Sequence, residues 1–292
     1  MPETSVIWID ADGTPHTLSS DAEGVTILYG RSGLFMAPPL PIEDVVPLQD
    51  GGKLRSITYG PRIINLPLLL RAASQTTLRT LKRDIMGWFA PDRGDGILRV
   101  TAPGGDQREI VCRLVDGLGI EQTATSRGYL SQKLVLGLKS WDPHWRAVNA
   151  TQISYQLAAS TATFFPWFPI RLTNSTIFSE FSVDNTGDVK TWPSWVIVGP
   201  GDDPVLRNVT MGKLIDLTGY SLAVGETVVI DTSPGVKSVV DQDGVNIFSS
   251  LSNTSSLWPL ERDSNALSIE LSNAVAAVSE IQLTYRLRYF SV

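Results

Sequence analysis

Cysteine occurs once in this chain, at Cys112, and histidine only twice, at His16 and His144. A lone cysteine rules out an intramolecular disulfide, the usual staple of small secreted domains. HxH, HExxH and CxxC spacings are missing as well, so a zinc or iron centre has too few soft ligands, and neither a metal nor a cofactor is expected. There is no GxSxG elbow leading into a helix and no GxxxxGK[ST] loop to cradle phosphates, so no catalytic residue is assigned. Basic residues are outnumbered, 24 Lys and Arg against 30 Asp and Glu, which argues against a surface built to coat nucleic acid. The greasiest stretch, Ile63 to Leu70, is too short to span a bilayer and contains Asn65 and Pro67, so no membrane partner is expected. Met1 to Trp8 has neither a basic start nor a long apolar run, so it does not read as a signal peptide, and synthesis in an aqueous cytoplasm is expected.

What is present is enough apolar sequence for two cores. The chain is 42% hydrophobic and 18% charged over 292 residues, which fits about two domains of roughly 150 residues each. The break is expected at the pentapeptide Trp141-Asp142-Pro143-His144-Trp145, giving domains at 1–148 and 149–292. In the first, strand-like pieces at Val6 to Ile9 and Val25 to Tyr29 precede a Pro-rich stretch, residues 33–52, whose prolines cannot donate to a sheet ladder. A loop or protruding arm is expected there; Pro38 and Pro41 also make a PxxP spacing, which in most proteins is a stiff connector.

After a strand from Ile63 to Leu70 the period changes. Leu78, Leu81, Ile85, Trp88 and Phe89 recur at helical intervals, with Ser74 as N-cap and Pro91 as stop, predicting one amphipathic helix from about Gln75 to about Phe89. Its outer residues Arg79, Lys82 and Arg83 read either as a patch for a phosphate or acidic partner or, more commonly for three charges, as a solvated face. A hairpin follows, Ile97 to Thr101 and Arg108 to Val115, in which Cys112 shares a face with Ile110 and Leu114 and reads as a buried thiol. Leu134, Leu136 and Leu138 alternate as the closing strand of a barrel or sandwich.

The second half has no strong helical period. Strand signals recur at Ile170 to Thr173, Trp195 to Val198, Val205 to Val209, Lys213 to Leu217, Glu226 to Asp231, Val236 to Val240, Leu267 to Leu271 and Ile281 to Tyr289. Short strands bounded by Asn, Asp, Gly and Pro predict an antiparallel jelly-roll β-sandwich, so the fold class is mainly β with one helix in the first domain. Acid pairs such as Asp202-Asp203 and Asp241-Asp243 stand beside Gly or Pro, where Asp serves as a turn residue rather than a glycosidase acid. Trp258-Pro259-Leu260-Glu261-Arg262 is similar to the sugar-stacking run of galectins but off by one residue, so Trp258, Glu261 and Arg262 are candidate carbohydrate-binding residues. The competing reading puts Trp258 in the sandwich core.

One succession of short motifs spans nearly the whole chain. Asp184 to Asp188, Pro193-Ser194-Trp195, Asn208-Val209-Thr210, Gly225 to Asp231, Leu257 to Leu260 and Asn265 to Ile269, preceded by the Asp50-Gly51 turn, the strand, the helix and the Trp141–Trp145 pentapeptide, resemble the Dit-like distal tail proteins of phages with long non-contractile tails. That family often has a Gly before the Asn where this chain has Asp263-Ser264. The resemblance implies a galectin-like second domain and a ring-forming first domain. It implies a homohexameric hub at the tail tip, within the virion. Its partners would be the tail tube protein, a hub or lysin protein and receptor-binding or side-fibre proteins, with DNA passing through the channel. A carbohydrate-binding module at the host surface is the alternative, and a cell-wall-cutting enzyme a third.

Overall fold

Regular alternation of apolar and polar residues builds most of the sheets. The computed structural model describes residues 5–45, 47–48, 50–118, 128–156, 162–165, 168–172 and 176–292, with backbone alone for 162–165 and 168–172. The chain divides into two units, Met1–Val148 with Tyr289–Val292, and Asn149–Arg288. Residues 289–292 thus belong with the first unit, not with the second as a simple cut at 148 would have them. None of the described helices is long and apolar enough to cross a membrane.

In the first unit, an antiparallel sheet runs in the order Pro15–Thr17, Val6–Ile9, Gly96–Thr101, Gln107–Asp116, Ser131–Ser140, Arg62–Arg71, Val25–Ile27. Along Arg62–Arg71 every second residue is buried, and Ile64, Leu66 and Leu68 stand opposite Leu138, Leu136 and Leu134. Cross-strand pairs of branched apolar side chains are what hold such a ladder in register. The one α-helix among the described residues, Gln75–Trp88, starts where Ser74 Oγ accepts the Thr77 N–H at 3.1 Å and buries Leu78 and Ile85 in the same core. Its far end is pinned by Trp8, whose indole N–H donates to the Trp88 carbonyl at 2.8 Å and whose ring stacks on Phe89. Gly96 makes room for that indole, since a Cβ there would lie 2.3 Å from it.

The strand opposite Gln107–Asp116 is interrupted. Ser131–Ser140 pairs with its later residues and Trp145–Ala147 with Arg108 and Glu109, so Trp141–His144 is an excursion between two strands that share one partner. Ser140 Oγ donates across the gap toward the carbonyls of Val111 and Asp142, both at 2.6 Å. Beside it Glu109, only 3% exposed, accepts from Arg99 at 2.9 Å and from Arg146 at 3.0 Å, each directly opposite in the ladder.

The Pro-rich stretch departs from a plain loop. Pro39–Asp44 pairs with Lys53–Tyr59 as a two-stranded sheet of its own. Proline tolerates this because of phase: Gly60 N–H donates to the Pro38 carbonyl, which makes Pro39 and Tyr59 a non-hydrogen-bonded pair, and Pro41 with Ile57 is the next of that kind. At those positions the N–H would point outward, so its loss breaks no bond.

The second unit is a sandwich of two antiparallel sheets. One runs Thr151–Gln156, Glu280–Tyr285, Ser194–Val198, Thr227–Asp231, Ser238–Asp241; the other Ile177–Asn185, Asp263–Ser272, Gly201–Asn208, Lys213–Asp216, with Ser221–Leu222 also on Gly201–Asn208. Inward residues of both fill one core, with Trp195, Leu206, Ile230, Ile269 and Leu283 among its buried members. Ala162–Phe165 and Phe168–Leu172 form a separate hairpin; Thr173, which the sequence assigns to the second of these strands, lies outside the described residues. The expected strand Ile281 to Tyr289 is divided, with Glu280–Tyr285 in the sandwich and Arg288–Tyr289 pairing with Trp145–Ala147.

Two substitutions check this packing. Leu283 is fully buried, so Leu283→Ala is expected to lower stability by about 2–5 kcal/mol, and Leu283→Asp to abolish cooperative unfolding of the sandwich altogether. Glu109→Ala removes the shared partner of Arg99 and Arg146, whose side chains are 29% and 37% exposed and can turn to water, so it is expected to cost about 1–2 kcal/mol in urea denaturation; an unchanged midpoint would show that the arginines need no buried partner.

Candidate functional site

The most unusual surface of the first unit is the proline-bearing hairpin. Opposite residues share a face, so Leu40 and Ile42 lie on one side and Pro39, Pro41 and Ile57 on the other, where the register shift past Ile42 also places Leu54, opposite Glu43. Leu40, Ile42, Leu54 and Ile57 are each between 48% and 53% exposed, and Val45, further along, is 75% exposed. A free two-stranded sheet that is apolar on both faces has no core of its own to cover it. Phe35 and Met36, at its lead-in, are exposed too. The prolines blunt the outer edge of the strand they occupy, which leaves the faces rather than that edge as the adhesive part.

Sequence reasoning placed an arm here without seeing its strands. The signal was available in Lys53–Tyr59, where Leu54 and Ile57 are spaced apart by polar residues, but the prolines before it read as breakers.

The candidate carbohydrate residues are not gathered into a site. Trp258 is completely buried and meets Trp195 edge to face with ring centroids 5.7 Å apart, so it has no free face on which a sugar could stack. Arg262 is exposed and Glu261 half-buried, in a turn organised by Asn265. The Asn265 side-chain amide donates to the carbonyls of Glu261 at 2.8 Å and Asp263 at 3.0 Å and accepts the Glu261 N–H at 2.9 Å. Asp263 takes the left-handed conformation, φ 69°, in the place where a glycine would be free of strain.

Of the acid pairs, Asp241-Asp243 serves in a turn, whereas Asp202 and Asp203 lie in the strand Gly201–Asn208, at its register shift, and not in the expected turn. Asp241 accepts the N–H groups of Asp243 and Val245, and Asp203 accepts that of Gly219. Asp202 is held below the usual carboxylate range by hydrogen bonds from Ser221 and Asn273, and Glu280 by Ser154 in spite of burial. Burial pushes Asp10 upward, but hydrogen bonds from His16 and Thr14 outweigh it and leave Asp10 lowered as well. A general acid at neutral pH needs the opposite shift. Among the described residues no group of three His, Cys, Asp or Glu side chains is placed to hold a metal. Burial pushes the Cys112 thiol up to about 12, which makes it a packing residue. On the helix, Arg79 and Arg83 are solvated while Lys82 donates to Gln132 Oε1 at 3.2 Å.

Two family models match the chain: a siphovirus-type tail component, C-terminal domain, over residues 186–289, and a phage tail protein RIFT-related domain over residues 43–131. A search of curated proteins gives no match. Among solved structures the chain is similar to the Dit protein of phage SPP1, described as a paradigm of the hub adsorption apparatus in phages infecting Gram-positive bacteria. The TM-score is 0.68 and the identity 13%, over 98% of each chain. It is also similar to a chain of the phage P2 baseplate in its activated conformation with calcium, with a TM-score of 0.54 and 12% identity over 100% of each chain. The strontium form of that baseplate gives 0.50 and 13%, over 97% of this chain and 98% of that one. Both halves therefore carry the marks of one lineage, in the order the motifs predicted, and the chain belongs to the Dit-like distal tail proteins, structural components of the phage tail.

Proposed function

We propose that this protein is the hexameric hub of the tail tip, joining the tail tube to the adsorption apparatus. In this reading the first unit closes a ring with five copies of itself, and the second carries receptor-binding, side-fibre or lysin proteins. The observation that supports it is the hairpin with apolar residues on both faces, which needs a neighbour, and a ring of identical copies supplies one to every member. The role is structural rather than catalytic, in keeping with carboxyls shifted downward and a buried thiol. The acidic balance suits a lumen through which DNA slides without sticking. Location in the assembled virion, after synthesis in the host cytoplasm, follows from the same reading.

Light scattering with electron micrographs tests it. The wild type is expected to form ring particles of six-fold mass as concentration rises. Ile42→Lys with Ile57→Lys should keep the chain monomeric while leaving the melting temperature within about 2 °C, since both side chains are exposed. A wild type that stays monomeric at every concentration, with or without tail tube protein, contradicts the hub. For the carbohydrate alternative, Trp258→Ala is expected to cost about 3–5 kcal/mol of stability, as for a buried aromatic. A stable Trp258→Ala protein that had lost glycan binding would instead restore that reading.

A further inference from the structure

Where the hairpin joins the sheet of the first unit, separate stretches of chain converge on one side chain. Arg62 is 1% exposed. Its Nε donates to the Pro143 carbonyl at 2.8 Å, Nη1 to the carbonyls of Gly33 at 2.7 Å and of Phe35, and Nη2 to the Phe290 carbonyl at 2.7 Å. Gly33 and Phe35 lie just before the hairpin, Pro143 lies in the strand excursion, and Phe290 comes after the whole second unit. These hydrogen-bond acceptors are all neutral backbone carbonyls, so a buried cation is held by oriented peptide dipoles.

Residues 289–292 are held at several further points. The Arg108 guanidinium sits 3.7 Å from the centre of the Tyr289 ring and donates to the Ser291 carbonyl at 2.7 Å. Val292 N–H donates to the Leu34 carbonyl at 3.3 Å. The Phe290 ring lies 5.3 Å from Tyr59, the last residue of the hairpin, and 5.8 Å from His144. Gly33 is required at the same place, because its φ is +83° and a Cβ would meet the Ile63 carbonyl oxygen at 2.0 Å. The segment therefore touches both the lead-in of the hairpin and its return strand.

We propose that residues 289–292 are a latch that fixes the direction of the hairpin, with Arg62 as its anchor. Among the described residues the two strands of the hairpin pair only with each other, so its orientation is decided at its root, and there the latch supplies a ring contact on one strand and hydrogen bonds on the lead-in to the other. The latch follows the sandwich strand Glu280–Tyr285 after only three residues. Its effect on assembly rests on the proposal that the hairpin joins copies; its effect on the root does not.

The test is hydrogen exchange on the full chain, comparing wild type, Phe290→Ala, Phe290→Tyr and a chain lacking residues 289–292. Phe290→Ala and the deletion are expected to raise exchange at residues 33–35 and 57–60 on the order of tenfold, while Leu98 and Ile110 in the central sheet stay protected and Phe290→Tyr behaves as wild type. Ring formation should then need about tenfold more protein. Unchanged exchange at the root overturns the latch. So does a loss of protection spread evenly over the first unit in Phe290→Ala, which would make the segment a general part of the fold. If the root loosens while wild-type rings never form, the latch stands and the hub reading fails.

Discussion

A guanidinium buried without a carboxylate in hydrogen-bonding reach is the constraint around which the first unit is arranged. Burial lowers Arg62 to about 10, still far above neutrality, and the charge of Asp142 offsets part of that fall. The cation therefore persists and must keep its donors occupied. The carbonyls it binds come from three separate stretches of the chain, so satisfying one side chain brings together the hairpin lead-in, the Trp141–His144 excursion and residues 289–292. Trp145, fully buried, lies 6.0 Å from the guanidinium carbon and closes the site on another side. Removing any one of these carbonyls would leave a donor stranded in an apolar surrounding, which is the expensive way to break a polar network.

The second consequence concerns domain order. Because residues on both flanks of the sandwich belong to the first unit, the second unit is inserted into the first rather than appended to it. Insertion at two neighbouring surface points is a common way to combine domains that fold around separate cores. Here each core is closed: the helix and sheet bury Ile85, Phe89 and Leu136, and the two sandwich sheets bury Trp195 and Trp258. The apolar surface that remains on the hairpin is thus surplus to both cores, which is why it reads as a surface for a neighbour.

Strands were legible where burial is one-sided. Ile64, Leu66, Leu68 and Leu70, the helix from Gln75, and Leu134 to Leu138 all follow the period that their burial demands. Edge strands were not: Thr151–Gln156 and Ile177–Asn185 are largely polar or half-exposed, and their residues alternate too weakly to stand out. The hairpin strand Pro39–Asp44 was hidden by prolines whose harmlessness depends on ladder phase, a tertiary fact. Arg62 was within reach, since it lies in phase with the buried residues of its strand, and a cation in that position asks for partners. The alternation ending at Tyr289 concealed the opposite error, because it runs on past the sandwich strand: Leu287 still packs against the sandwich core, while Tyr289 keeps the pattern in the first unit. Trp258 shows how a short motif misleads: the sugar-stacking run and a core tryptophan look alike until exposure is known.

Hydrogen exchange of residues 39–59, compared between the free chain and purified tail tips, reads out whether the hairpin is covered by a neighbouring copy. If an anchored apolar hairpin is where copies meet, amides of Leu40, Ile42, Leu54 and Ile57 should exchange slowly in the assembled tip and rapidly in the free chain. Equal exchange in both, with new protection appearing elsewhere on the first unit, would contradict the account.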